Sequence, residues 1–137
     1  MKITKRTKKE QIMAMDYYNL YGHDLEHCSK KLQDDEEVVL KFIGSYWGNY
    51  EYASDRLKKD REFIKLAIQK DVACFLYADK MLRKDKKYII ELIELSNAKL
   101  IDYAWYTIKE PLYVHLKPHA IEYLKNELKE GKKNENS

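Results

Sequence analysis

Apolar positions recur through the middle of the chain at a fixed step of 25 residues. Small residues, leucines, aspartates and aliphatic residues each keep this step. The four sets are Cys28, Ala53 and Ala78; Leu32, Leu57 and Leu82; Asp35, Asp60 and Asp85; and Val39, Ile64 and Ile89. A period of this size is typical of stacked supersecondary units, each too small to bury its apolar face alone. The sequence therefore predicts three repeats over residues 24–99, with bounds of about 24–49, 50–74 and 75–99.

Within each repeat, the pattern predicts a short helix, a turn and a longer helix. The opening segments have apolar residues spaced 0, 3 and 7, one stripe of a two-turn helix: Leu25, Cys28 and Leu32; Tyr50, Ala53 and Leu57; Phe75, Ala78 and Leu82. The aspartate after each turn is placed to cap the next helix, because its carboxylate accepts from free N–H groups of the first turn. The longer helices have apolar spacing 0, 3 and 4: Val39, Phe42 and Ile43; Ile64, Ala67 and Ile68; Ile89, Leu92 and Ile93.

The segments outside the repeats predict caps for the stack. A capping box of Thr7 and Glu10 begins an N-terminal helix within residues 7–22, which Gly22 ends in a left-handed conformation. For residues 100–131 the sequence predicts a degenerate fourth repeat and a C-terminal capping helix that begins at Pro118. A disordered tail is predicted over 132–137. The predicted fold class is all-α: a short, solenoid-like stack of helix hairpins in a single domain, 1–137.

Composition agrees with a folded helical protein. The 137 residues are 45% hydrophobic and include only four glycines and two prolines. The formal charge of +3 neither requires nor excludes a polyanionic partner. Cys28 occupies a small-residue core position, so we expect a buried thiol and no disulfide with Cys74. Neither a signal peptide nor an apolar membrane span is visible, and we therefore expect a cytoplasmic protein with no membrane partner.

The string YEYASDRLKKDREFIKLAI at 50–68 resembles a tandem repeat family of unknown function found in bacterial and viral proteins. The third repeat keeps Tyr77, Ala78, Leu82 and Asp85 of this pattern, whereas the first has His27-Cys28 in place of Tyr-Ala. The resemblance covers about residues 24–99 and implies a helical-repeat fold. The family carries no known catalytic residues, so the resemblance implies no functional site.

Histidines are the first candidates for chemistry, because an i, i+4 pair on a helix can share a metal ion. His23 and His27 are four apart beside a cysteine, and His115 and His119 have the same spacing. The HEXXH pattern is absent, a proline interrupts the second pair, and His27 takes the repeat position of two tyrosines. We therefore predict ordinary surface or packing histidines, with no metal and no cofactor.

The acidic run Asp34–Glu37 is the second candidate. Paired carboxylates can serve as general acid and base when they face each other across a cleft. The simpler interpretation is that one aspartate caps a helix while its neighbours favour the positive N-terminal end of that helix. No phosphate loop or nucleophile motif accompanies the run, and we predict no catalytic residues.

Two surfaces are candidates for partner contact. The first is a basic edge at the repeat turns, made of Lys58, Lys59, Arg61, Lys80, Arg83, Lys84, Lys86 and Lys87. Such an edge would suit RNA, DNA or an acidic protein, although lysine-rich turns also simply keep a helical repeat soluble. The second is a set of aromatic residues, namely Tyr46, Trp47, Trp105 and Tyr106. A loop tryptophan such as Trp47 is either a plug over the core or an interface anchor.

These observations favour a non-enzymatic macromolecular binding module that holds a protein or nucleoprotein partner. One alternative is a small phage or mobile-element inhibitor of a bacterial defence complex, of the anti-CRISPR type, that binds the effector or its RNA. A second alternative is a metal-dependent enzyme that uses the histidines.

Overall fold

The structure, a computed structural model, describes residues 7–96 and Asn126. The chain divides into two compact units, Met1–Tyr77 and Ala78–Ser137, and the boundary falls inside the third predicted repeat. Regular structure in the described residues is helical, without strands, which confirms the all-α class. The predicted fourth repeat, C-terminal helix and tail, and the candidates Trp105 and Tyr106, lie outside the described residues.

Helices follow the repeated order that the sequence predicts. The α-helices are α1 (Lys8–Ala14), α2 (Tyr17–Leu20), α3 (Lys30–Gln33), α4 (Glu36–Ser45), α5 (Asp55–Lys59), α6 (Arg61–Lys70) and α7 (Lys86–Leu95). The 3-10 segments are Leu25–His27, Trp47–Tyr52, Val72–Tyr77 and Leu82–Lys84. Each of the three repeats therefore consists of a 3-10 segment, a short helical turn and a ten-residue α-helix.

The N-terminal capping helix is two helices. The capping box is present, since Thr7 Oγ1 accepts from the Glu10 N–H at 3.1 Å and the Glu10 carboxylate accepts from the Thr7 N–H at 3.2 Å. However, α1 ends at Ala14, and Asp16 begins α2 by accepting from the backbone N–H three residues later at 2.7 Å. A short carboxylate that binds its own backbone in this way starts a new helix rather than continuing the old one. The prediction for Gly22 is also wrong, because its φ is not left-handed.

The predicted two-turn opening helix is also wrong, because the chain becomes extended in its middle. Cys28 and Ala53 have ψ of 159° and 156°, so each separates a 3-10 segment from the following α-helix. The next residues, Ser29 and Ser54, cap those helices, each accepting from the N–H three residues later at 3.3 Å. In the third repeat Asp79 accepts from the N–H two residues later at 3.0 Å. These side chains satisfy N–H groups that a continuous helix would have paired internally.

The aspartate caps are confirmed in all three repeats. The carboxylates of Asp35, Asp60 and Asp85 each accept from the backbone N–H three residues later at 3.1 Å. The apolar triplets behind them are buried, as predicted: Val39, Phe42 and Ile43; Ile64, Ala67 and Ile68; Ile89, Leu92 and Ile93. Each cap thus fixes where a helix begins, and the helix then presents its stripe to the core.

In the first compact unit, residues from both N-terminal helices and the first two repeats share one core. Its largest fully buried side chains include Leu20, Phe42, Tyr50 and Phe63. Among the helices of the described residues, none is long and apolar enough to cross a membrane.

Candidate functional site

Four aromatic rings of the first compact unit follow one another in contact, and we call them the aromatic row: Tyr21, Tyr46, Trp47 and Tyr77. The ring centroids are 6.4 Å apart for the first pair, which meet edge to face, and 5.6 Å for the second. Trp47 and Tyr77 are stacked at 5.7 Å with 27° between their planes. Contacts of this kind each add about 0.5–1.5 kcal/mol beyond simple burial of area.

Exposure changes along the row. Tyr21 and Tyr46 are 67% and 49% exposed, whereas Trp47 and Tyr77 are half-buried. Trp47 also packs against the core of the first compact unit. The tryptophan therefore covers the core, as a plug would, and also contacts the exposed Tyr46.

Two glycines let tyrosine rings lie against the backbone. A Cβ at Gly44 would come within 2.5 Å of the ring atom Cε1 of Tyr17, and a Cβ at Gly48 would meet the same ring atom of Tyr46. Lys41 Nζ lies over the Tyr17 ring, 4.7 Å from the ring centroid. Because the rings occupy the space of the missing side chains, their positions are set by the main chain beneath them.

Two buried amides hold the 3-10 segment that carries Trp47 and the 3-10 segment beside it. Asn49 is 4% exposed; its Oδ1 accepts from the Leu25 N–H at 3.0 Å, and its Nδ2 donates to the carbonyls of Phe42 and Tyr46 at 3.1 Å. Gln33 is 7% exposed, and its Nε2 donates to the Leu25 carbonyl at 3.1 Å. The segment Leu25–His27 is thus fastened to the neighbouring segment Trp47–Tyr52, which contains the row member Trp47 and directly follows Tyr46.

Three carboxylates, of Asp24, Glu26 and Glu51, lie near Tyr52, a half-buried tyrosine of the segment Trp47–Tyr52 that is not in the row. The pKa of the Tyr52 hydroxyl is raised, because Glu26, then Glu51, and finally Asp24 disfavour its phenolate form. Burial raises the pKa of the Tyr77 hydroxyl, and the charge of Glu51 raises it further. Carboxylate charge therefore acts on both hydroxyls, that of Glu51 on each of them.

A family model matches this chain three times in tandem, over residues 13–58, 43–83 and 60–104. The chain belongs to the family described as Domain of unknown function (DUF4116). This confirms membership of a tandem repeat family of unknown function. Searches of curated proteins and of solved structures gave no significant match.

The predicted basic edge of this DUF4116 chain is divided between the two compact units. Lys58, Lys59 and Arg61 belong to the first, where Lys59 and Arg61 are exposed and Lys58 donates from Nζ to the main-chain oxygen of Glu51. The other five belong to the second: Lys80, Arg83, Lys84, Lys86 and Lys87. Arg83 donates from Nε to the Ala78 carbonyl at 2.9 Å, and Lys80, Lys84 and Lys87 are exposed. A single continuous edge stays a prediction.

The acidic run takes part in structural contacts. Hydrogen bonds from the Ser54 hydroxyl and the Arg56 guanidinium, at 2.5 and 2.8 Å, hold the pKa of Asp34 below its ordinary value. Lys9 pairs with Asp35 at 2.8 Å and with Glu37 at 3.2 Å. These contacts join the run to the N-terminal helix and to the second repeat.

Histidines and cysteines of the described residues do not form a metal centre, since no group of three or more suitable ligands occurs there. His23 and His27 are exposed, and His115 and His119 lie outside the described residues. Both cysteines are free; Cys74 is buried, which raises the pKa of its thiol, whereas Cys28 is half-buried.

Sequence reasoning found two members of the row, Tyr46 and Trp47, and missed the other two together with the carboxylates. The sequence does contain a signal for three of the missed residues. Glu26 and Glu51 are 25 residues apart, and the row member Tyr77 follows Tyr52 by the same step. This signal becomes informative only when the 3-10 segments are known to lie side by side.

Proposed function

We propose that this chain is a non-enzymatic, cytoplasmic binding module that holds a protein or nucleoprotein partner against the aromatic row. The observation that carries the proposal is the row itself, in which exposed Tyr21 contacts exposed Tyr46, and Tyr46 contacts a tryptophan packed against the core. Tyrosine and tryptophan dominate the energetics of protein interfaces, because they bury a large area and lose few rotamers on binding.

Rigidity of the row supports the same proposal. Ordering an interface side chain on binding costs about 0.5–1.5 kcal/mol, and a ring that is already fixed avoids most of this cost. Tyr46 lies on Gly48, and the segment beneath it is held by the buried Asn49. The Tyr46 ring is thus held in place before any partner arrives.

The test is a comparison of partner capture from cell lysate by the wild-type chain and by the double variant Tyr21→Ser, Tyr46→Ser. Tyr18→Ser is the matched control, because Tyr18 is 88% exposed but lies outside the row. We expect the double variant to lose a partner that the control retains, and the purified partner to bind it at least tenfold more weakly. Equal capture by all three chains would refute the proposal.

A nuclease-treated half of each lysate separates a protein from a nucleoprotein partner. The phage or mobile-element inhibitor is a narrower form of this proposal, supported by the resemblance to repeats of bacterial and viral proteins. An effector ribonucleoprotein among the row-dependent partners would favour it. The basic residues, including the exposed Lys84 and Lys87, are proposed as a second contact, for an acidic or nucleic-acid part of the partner.

A further inference from the structure

Carboxylates lie around Tyr52, in the same 3-10 segment as the row member Trp47. Glu51 follows the row member Trp47 within one 3-10 segment, and Asp24 and Glu26 are brought beside this segment by the Leu25–Asn49 hydrogen bond. Glu26 lies within hydrogen-bonding reach of the Tyr52 hydroxyl. Side chains of Asp24, Glu26 and Glu51 are all exposed, so their charges face the solvent beside the rings.

Two lysines lie close to these carboxylates. Lys30 lines one cavity with Glu51 and Tyr52. Lys58 binds the main-chain oxygen of Glu51 rather than its carboxylate. Asp24 Oδ2 lies 4.0 Å from Nε2 of His27, whereas in the described residues Glu26 and Glu51 form no ion pair with a lysine or arginine. The charges of Glu26 and Glu51 therefore remain available to a partner.

We infer that the partner segment held by the aromatic row is a basic protein segment, and this inference rests on the proposed function. The segment presents arginine side chains to the rings and to Glu26 and Glu51. A guanidinium stacks on the face of an aromatic ring and also pairs with a carboxylate, and it is more weakly hydrated than an ammonium group. A nucleic-acid strand would instead bring phosphates next to the three carboxylates, where the like charges repel. Charge complementarity thus selects the basic protein segment over nucleic acid at this surface.

The test uses short arginine–glycine peptides, with lysine–glycine and glutamate–glycine peptides of equal length and a single-stranded oligonucleotide as comparisons. Binding is followed by tryptophan fluorescence in a Trp105→Phe background, so that Trp47 is the remaining tryptophan of the two in the chain. We expect the arginine peptide to bind more tightly than the lysine peptide. We expect the glutamate peptide and the oligonucleotide to leave the Trp47 signal unchanged.

Charge removal then separates this inference from the proposed function. In the double variant Glu26→Gln, Glu51→Gln we expect the arginine peptide to bind about three- to tenfold more weakly, with a smaller dependence on salt. Glu62→Gln is the matched control, because Glu62 is an exposed glutamate of the same compact unit that does not act on the hydroxyls of Tyr52 and Tyr77. It should bind the peptide as the wild type does.

Three results would overturn the inference: no binding of the arginine peptide, tighter binding of the glutamate peptide or oligonucleotide, or unchanged affinity in the Glu26, Glu51 double variant. If the tyrosine double variant still loses its captured partner in that case, the row remains a binding surface and only the basic character of the partner is wrong. If neither pair of substitutions changes partner capture, the proposed function itself fails.

Discussion

Removing the buried amide of Asn49 is the sharpest test of how the candidate surface is positioned. In Asn49→Ala the Leu25 N–H loses its acceptor at 3.0 Å in a position where Leu25 itself is 0% exposed. The carbonyls of Phe42 and Tyr46 also lose a donor, but each still accepts from a backbone N–H, at 2.9 and 3.1 Å. The substitution therefore leaves the buried Leu25 N–H unpaired and removes one hydrogen bond from each of two carbonyl oxygens that keep another.

The expected cost follows from these three contacts. An unpaired buried N–H costs about 1–3 kcal/mol, and each lost bond to an otherwise satisfied carbonyl costs roughly 0.5 kcal/mol. We therefore expect the free energy of unfolding to fall by about 2–4 kcal/mol. Such a loss is large against the total stability of a domain, which is about 5–15 kcal/mol.

Denaturant unfolding followed by circular dichroism measures the global effect, and hydrogen exchange of the Leu25 amide measures the local one. We expect exchange at Leu25 to accelerate about thirtyfold or more, since about 1.4 kcal/mol corresponds to a factor of ten. Asn19→Ala is the control, because Asn19 is exposed and its amide binds only the neighbouring Asp16 carboxylate, at 3.2 Å. A loss below about 0.5 kcal/mol in Asn49→Ala, with unchanged exchange at Leu25, would refute this account of the surface.

Further predictions concern the core, the acid response and the basic residues. Leu57→Ala should lower the free energy of unfolding by about 2–5 kcal/mol, because Leu57 is 0% exposed; a loss below about 0.5 kcal/mol in denaturant unfolding would contradict the repeat alignment. The pKa of Asp34 is lower in the folded state than in the unfolded state, where it is about 3.9, so its carboxylate stabilises the fold at any pH above that value. This stabilisation disappears as the pH falls through the lower folded-state pKa. The stability difference between wild type and Asp34→Asn should therefore vanish on acidification from about pH 5, and a difference independent of pH would exclude this carboxylate as the cause. Lys84→Glu with Lys87→Glu should weaken binding of the captured partner and reduce its salt dependence while the Tm stays nearly constant; an unchanged affinity would remove the basic residues from the proposed contact.

Sequence reasoning succeeded where one residue type repeats in one role. The step of 25 places Asp35, Asp60 and Asp85 at the same helix start, and each is a cap. It failed where two local signals compete. Ser29 and Ser54 keep the same step, but the apolar spacing around them suggests a continuous helix, and the hydrogen bond of each serine to the backbone prevails.

The remaining parts of the candidate surface depend on contacts that no local pattern encodes. Asn49 and Gln33 look like ordinary polar residues in the sequence, and only the approach of the 3-10 segments buries them. Tyr21 and Tyr77 are 56 residues apart, so their place in one row follows from tertiary packing. Repetition therefore predicts the helices, whereas the surface follows from the tertiary packing of the segments between them.

The contact between Asp34 and the Ser54–Arg56 pair also limits how this gene can change by recombination. One repeat further on, Lys59 takes the place of Asp34 and Met81 takes the place of Arg56. If the second repeat were duplicated in tandem, the arginine of the new copy would meet Lys59, and two like charges would replace an ion pair of 2.8 Å. The repeats share a backbone plan but are not interchangeable modules, and we expect such arrays to diverge by substitution more readily than by shuffling of whole repeats.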